Sequence, residues 1–555
     1  MIPLVAQQSR KATWLAAIAL ALFTIALALA LLSAGFVAPA AFGWSNSILL
    51  DGGWRLYQGQ IPHDDFHSPI GFVYLLLVSW AMHLWNPTAH ALAQTSMLVT
   101  IPLAAAAWML ASRRLSPWLA ALVAAFIVVH AASITFFGTS DGQGISFSGQ
   151  YTRIAWAIFF LIPLQALLDP ITPLGRGQAL TEQLLVGVAL GLLFGIKATF
   201  FAAGLVCVLA GLVVRPAPDR WQAVAAMTAA SVTTVAASLA ASGASLSDYL
   251  SDLALTQRSN ASSLLNLLVK QAGRTDIMQL SLLVAGLLLA WPRSRDQKRV
   301  AGLPISVLAG LGLLLLGFGI SAYNGTEYAS PIYGLSTLII CARALPSPGL
   351  TAIAVVALVG PLLILGLPVL KAGIQGRPDP GTSDSLDLPA YRGVDFIAGS
   401  RAEDGPLIAS FTRTPHVVFA TAYLRSLRDG VDHLRRNVPA GSIVITMDVA
   451  NPFPFALGWP SPKGDVLYWH IDRNVSAKTA PPAEVLLAEV DAVMVPTCAH
   501  MAGVPAGKMA IYRPYLAAHF ERVPLNGPWW SELWLRPRPL TRHSLHPSMH
   551  SRSHP

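Results

Sequence analysis

Three carboxylates and two histidines fall within 17 residues near the start of the chain: Asp51, His63, Asp64, Asp65 and His67. Side chains of these types move protons near neutral pH or ligate divalent cations. The adjacent pair Asp64 and Asp65 suits an acceptor hydroxyl or a cation such as Mg or Mn, or one of the two can serve as a general base. His63 and His67 lie four residues apart, so they share a face only if the segment is helical, and nearby Pro69 argues for a turn. Metal ligation by the two histidines and a plain loop surface are both open. Turn residues (Asp51-Gly52-Gly53, Ile61-Pro62-His63) are also present, so a solvated loop is the competing account of the stretch.

Two cations stand where hydropathy argues against them. Lys197 interrupts the apolar run 183–214 at Gly195-Ile196-Lys197. A charge inside a membrane is costly and usually marks a working residue. Binding of an anionic phosphate is its natural role, and snorkelling to the interface is the other reading. Arg153 follows Tyr151 at the start of a further apolar run, at the same level. Contact with phosphate or sugar and an interfacial anchor are both open for it.

The elements that must hold these residues are membrane helices. Of 555 residues, 54% are hydrophobic and only 12% charged, and the mean hydropathy is +0.55. A soluble domain is nearer a quarter charged, so a polytopic membrane protein is expected. The charge is uneven: residues 1–370 carry 18 Lys/Arg and 12 Asp/Glu, and residues 371–555 carry 19 and 16 in half the length. The chain therefore divides into a lipid-solvated part, 1–370, and a water-soluble part. Long apolar runs cover 13–37, 90–111, 116–137, 153–168, 183–214, 221–242, 277–291, 303–322, 332–345 and 350–370. Splitting 183–214 at Lys197 predicts eleven spans.

The segment 70–86 is short and aromatic. If it lies at the interface instead of spanning, the short loops on the N-terminal side hold 12 basic residues and those opposite hold 6. The positive-inside rule favours that arrangement. It puts the N-terminus in the cytoplasm of a cell inner (plasma) membrane, and the loop 38–89 and the residues from 371 onward on the outer side.

The order of residues in the first outer loop resembles the GT-C superfamily of polytopic glycosyltransferases, which includes protein O-mannosyltransferases and aminoarabinose transferases. An acid, Asp51, follows the first helix. Then come Trp54, the pattern Gly59-x-x-Pro62-x-x-Asp65-Phe66, and Ser68-Pro69 before the apolar segment 70–86. The resemblance implies a transferase that takes a sugar from a polyprenyl-phosphate carrier, with membrane lipid around it. The acceptor hydroxyl would belong to a glycan, a lipid or a protein. Attack would invert the anomeric carbon, with Asp51 as the general base. Where the family has two adjacent acids, this chain has Asp51-Gly52. The resemblance also suggests Lys197, Arg153 and Tyr328 as contacts of the carrier phosphate, and the polar loop 243–276 as part of the carrier site.

Residues 371–390, rich in Gly, Pro, Asp and Ser, read as a linker. A small α/β domain is predicted over 391–535, with an amphipathic helix at 423–438 and buried strands at 442–448 and 491–496. The tail 536–555 is expected to be disordered. The three cysteines (Cys207, Cys341, Cys498) form no disulfide framework or metal pattern. No basic stripe interleaved with aromatics is present, so a nucleic-acid partner is not expected. The function class that competes with the transferase is a transporter or lipid-carrier flippase. It would call for inverted repeats and ionisable groups at the bilayer midplane. No internal repeat is visible.

Overall fold

Leu-, Ala- and Val-rich runs form helices wherever their length matches a membrane, because only intrasegment hydrogen bonding satisfies a backbone in lipid. The computed structural model describes residues 9–34, 43–134, 147–214, 220–259, 269, 277–291, 299–300, 303–324, 330–343, 347–375, 383–385, 388–392, 395–397, 420–497, 499, 501, 503–525 and 527–537. The protein is a helical polytopic membrane protein with a small C-terminal α/β domain.

Among the described residues, eleven apolar helices coincide with the eleven expected spans. They are α1 (Arg10–Ala34), α4 (Ala91–Ser112), α5 (Pro117–Ala132), α6 (Gln150–Leu167), α7 (Arg176–Ile196), α8 (Ala198–Val214), α9 (Arg220–Ser242), α11 (Ile277–Ala290), α12 (Ile305–Asn324), α13 (Ser330–Ala342) and α14 (Pro348–Gln375). Five of these (α1, α4, α7, α9 and α14) are long and apolar enough to cross a membrane by length and composition. The other six run 13–20 residues. Exposed Leu22, Val232 and Leu315 give the bundle an apolar outer surface suited to lipid.

Three further helices lie between spans. α2 (Gly43–Tyr57) contains Asp51-Gly52-Gly53, which the sequence suggested as a turn. The glycines instead let α2 press onto α3 (Phe72–Leu84): a Cβ on Gly53 would come within 2.3 Å of Val78 Cγ1. α3 has 13 residues, so it is roughly 20 Å long, the same length as α13. Its exposed Trp80 and Leu84 suit an interface. α10 (Leu246–Ser259) follows α9 and lies wholly within the expected polar loop 243–276; of residues 260–276, only 269 is described.

The C-terminal domain holds a four-stranded sheet ordered β6-β8-β10-β9. β6 (Val444–Thr446) runs parallel to β8 (Ala492–Pro496), Val444 opposite Ala492. β10 (Trp530–Leu535) pairs antiparallel with β8 and with β9 (Glu521–Pro524). α15 (Ala420–Asn437), the expected amphipathic helix, buries Leu427, Val431 and Leu434 in the core of the molecule. Short helices α16 (Phe453–Leu457) and α17 (Ala483–Leu486) lie in loops, and α18 (Val504–His519) packs near β9. Two small hairpins complete the inventory. β2 (Arg299–Val300) pairs with β3 (Leu303–Pro304), and β4 (Ser383–Ser385) pairs with β5 (Asp395–Ile397).

Of the expected linker 371–390, residues 376–382 and 386–387 lie outside the described residues. α14 continues through Gln375, and Leu388, Ala390 and Tyr391 are buried, with Ala390 O accepting a hydrogen bond from Ala89 N at 2.8 Å. The tail beyond residue 537 lies outside the described residues.

Candidate functional site

The first loop and the C-terminal domain are joined by a parallel pairing of two-residue strands. β1 (Phe66–His67) runs beside β7 (Asp465–Val466), Phe66 opposite Asp465. Beneath it lies Arg55, which is fully buried. Its Nε donates to Asp51 Oδ2 at 2.9 Å, Nη2 to Asp465 Oδ2 at 2.9 Å and Nη1 to Pro462 O at 2.6 Å. Asp51 also accepts from Ser461 Oγ at 3.1 Å, and Asp465 Oδ1 from Trp469 Nε1 at 3.0 Å. Burial pulls the Arg55 pKa down, but the two carboxylates more than offset it and the guanidinium is held charged. Trp54 Nε1 and Gln58 Nε2 both donate to Trp459 O, and Gln60 Nε2 donates to Ser461 O, fastening the same seam.

This geometry bears on Asp51 directly. It is 1% exposed and engaged by Arg55 and Ser461. A general base needs hydrogen-bond reach to the proton it removes. Asp51 in this arrangement is a ligand of Arg55 inside a closed knot, with no open face toward an acceptor. Asp65 is also tied. Its Oδ2 accepts from Ile61 N at 2.8 Å and its Oδ1 pairs with Lys463 at 2.8 Å. Burial raises its pKa, and the hydrogen bonds from Lys463 and Ile61 together outweigh that and lower it. Asp64 is exposed beside it.

The two histidines converge, but not on a helix face. His63 sits in a turn with φ of 72°, and His67 is in β1. Both Nδ1 atoms meet the carboxylate of Asp252 on α10, His63 at 2.7 Å and His67 at 2.6 Å, and Ser68 N donates to Asp252 Oδ2 at 2.9 Å. Burial pushes Asp252 up, and the hydrogen bonds to the two histidines outweigh it, leaving its pKa below the usual value. The hydrogen bond to Asp252 in turn raises His67 above 6.5, against the opposing effect of burial. His63 is enclosed, whereas the His67 side chain is 40% exposed. Because the imidazoles spend their Nδ1 atoms on the carboxylate, the trio is a hydrogen-bonded cluster and not an open ligand set. Among the described residues, no group of three or more His, Cys, Asp or Glu side chains is arranged to hold a metal ion.

Beside this cluster lies a cavity of about 250 Å³. Lys197 enters it from the break between α7 and α8, where its backbone is extended with φ of −162°. The break is packed closely: a Cβ on Gly71 would fall 2.1 Å from Gly195 O, so only glycine fits there. Lys197 Nζ donates to Thr152 Oγ1 at 2.9 Å and lies 4.6 Å from the centroid of the Tyr151 ring. Tyr151, Tyr249 and Tyr468 line the cavity together with Arg473 and Asn474 of the C-terminal domain. No carboxylate lines it, and among the described residues none reaches Lys197 at ion-pair distance. Tyr249 connects cavity and cluster: its hydroxyl donates to Phe194 O at 2.6 Å and its ring lies 5.0 Å from that of His63.

Arg153 does not line this cavity. It is 2% exposed, with Nη1 donating to Ser148 O at 2.8 Å. Tyr328 lies outside the described residues. Sequence reasoning missed Asp465, Arg473 and Tyr468, which reach the site only through long-range packing. It marked the polar loop 243–276, which holds Asp252, without that residue's partners in the first loop.

No protein-family model matches the chain, and no curated protein matches it. Among solved structures, it is similar to the crystal structure of ArnT from Cupriavidus metallidurans bound to undecaprenyl phosphate. The similarity has 10% sequence identity and a TM-score of 0.35, and covers 80% of this chain and 85% of that one.

Proposed function

We propose that the protein is a membrane glycosyltransferase that moves a sugar from a polyprenyl-phosphate carrier to an acceptor hydroxyl of a glycan, lipid or protein, with inversion, on the outer face of a cell inner membrane. The observation that carries this reading is the cavity holding Lys197 and Arg473, with three tyrosines and no carboxylate, at a break between apolar helices. Such a place suits an anionic headgroup whose tail stays in lipid. Lys197 and Arg473 hold the phosphate and stabilise the charge that builds on it as the glycosidic bond breaks. The basic loops at the opposite end of the bundle favour the outward orientation.

The base in this proposal is His67. Its Nε2 takes the acceptor hydroxyl proton as the acceptor oxygen bonds to the anomeric carbon, and the phosphate leaves with the electron pair. Asp252, on Nδ1, fixes the tautomer and stabilises the imidazolium, as an orienting carboxylate does in a catalytic triad. Asp51 keeps a part by holding Arg55, and through it the β1–β7 pairing that positions His67. No step requires a metal. Asp64 and Asp65, at the rim, are left as acceptor contacts.

The experiment is carrier-phosphate release by the full chain in lipid, given a panel of polyprenyl-phosphate sugars. Release by the wild type establishes a transferase, and its absence with every donor, while the carrier still binds, returns the weight to a flippase. Loss of turnover in His67→Gln assigns the base. Loss in a folded Asp51→Asn protein, with His67→Gln active, restores that role to Asp51.

A further inference from the structure

A second cavity of about 510 Å³ opens at the other end of the bundle, between the ends of α6, α8 and α13 and the starts of α7 and α9. α7 links the two sites, so they lie about 30 Å apart at 1.5 Å per residue. The second cavity is lined by Arg114, Arg220 and Arg343 against the two carboxylates Glu182 and Asp169. Glu182 is already committed. Buried Arg114 grips both of its oxygens, and Arg113 adds a fourth guanidinium at 3.0 Å. Arg343 donates to Leu167 O at 2.9 Å and lies 3.5 Å from Asp169, whose side chain is 59% exposed. Four arginines thus face two acids, and the surplus is positive.

Val208, Leu212 and Met227 give the wall an apolar side, and Gln165 and Gln183 add two amides. The neighbouring outer surface is lipid-like, with Trp221 at 72% and Val213 at 75% exposure. Arg220 stacks on Trp221 at 5.5 Å, an arrangement typical of residues at the headgroup level. A cationic cavity with an apolar side, between apolar helices and beside a lipid-like outer surface, matches a phosphodiester with acyl chains attached.

We infer that this cavity binds the phosphate headgroup of an anionic membrane lipid, independently of the carrier site around Lys197. A free phosphate shares the charge but not the apolar wall, and the test separates the two. The full chain, purified in detergent, is offered equal phosphatidylglycerol and phosphatidylcholine, and retained lipid is counted by native mass spectrometry. The wild type should retain phosphatidylglycerol about tenfold over phosphatidylcholine. Arg220→Gln, which breaks no ion pair among the described residues, should lower the ratio part-way. Arg220→Gln with Arg343→Gln should bring it near one, while Arg513→Gln, an exposed cation of the C-terminal domain, leaves it unchanged. Equal retention by the wild type, an unchanged ratio in the double variant, or loss of the ratio in Arg513→Gln would overturn the assignment. Displacement of the lipid by millimolar inorganic phosphate would overturn the lipid as occupant and leave a soluble-anion site.

Discussion

Around Arg55 every hydrogen-bonding group is matched: the guanidinium, with no exposed surface, donates to two carboxylates and a carbonyl, and a serine and an indole donate to those carboxylates. Around Lys197 the partners are a hydroxyl and a ring face, and the cavity wall holds a second cation. Both are ionic sites in nearly dry surroundings, yet they serve opposite ends. Hydrogen-bonding groups matched within the chain fasten two segments. A cavity wall that carries a lysine and no carboxylate is suited to an anion. In the proposed mechanism the contrast separates acids that hold the scaffold from residues that meet a substrate, although Asp65 and His67 lie two residues apart in the first loop.

The largest effect should come from the histidine between the two regions. His67→Gln is expected to lower turnover by about 10²–10⁴-fold with carrier affinity kept, measured by phosphate release and by carrier binding separately. The wild-type rate should climb as pH rises through the His67 pKa, which lies above 6.5, because the base form is needed. The link from His67 to Asp252 runs the other way. A raised histidine pKa stabilises the folded form at low pH, and that contribution fades as pH rises through the folded value. A flat rate profile would break the assignment.

Next in size is the closed knot. Asp465→Asn strips one of two carboxylates from Arg55, which keeps Asp51, and should cost about 1.5–3 kcal/mol of stability, the usual size of a buried hydrogen bond to a charged group. Thermal unfolding in detergent reads it directly. Carrier affinity in the folded fraction should hold, and a selective loss of affinity would erase the distinction between the two regions. Lys197→Gln should do the reverse, weakening carrier binding by roughly 10–100-fold, as expected for a hydrogen bond to a charged group, with little change in melting temperature. Smallest is Lys463→Ala at the seam's rim. Its partner Asp65 is half-buried, but Lys463 is 58% exposed, so the change should stay below about 1 kcal/mol.

The membrane part was legible because hydropathy and loop charge are local properties. The break at Lys197 shows as a lysine after Gly195 in an apolar run. The closed knot was not legible. Asp51 and Arg55 are one helical turn apart, but the acid that completes them, Asp465, lies 410 residues on from Arg55. The Asp-Gly-Gly read as a turn because its reason for being helical, contact with Leu75 and Val78, comes from another helix. His63 and His67 were singled out as a pair, yet their shared partner Asp252 comes from α10. The β9–β10 hairpin was missed because Glu521–Pro524 is mostly exposed and shows no apolar alternation.

The strand pairing that joins β1 to β7 also sets a timetable. Residues 51–67 leave the ribosome long before Asp465 exists, and that interval spans the whole membrane bundle. At about 5–20 residues per second, Arg55 waits on the order of 20–80 s for its second carboxylate. During that time the first loop has neither its strand partner nor its seam, and its backbone is open to proteases. Synthesis cut short before residue 465 would leave eleven inserted helices carrying an unclosed loop. The pairing is therefore a checkpoint of assembly as much as a joint, because the site around His67 is put together only when the last third of the chain arrives.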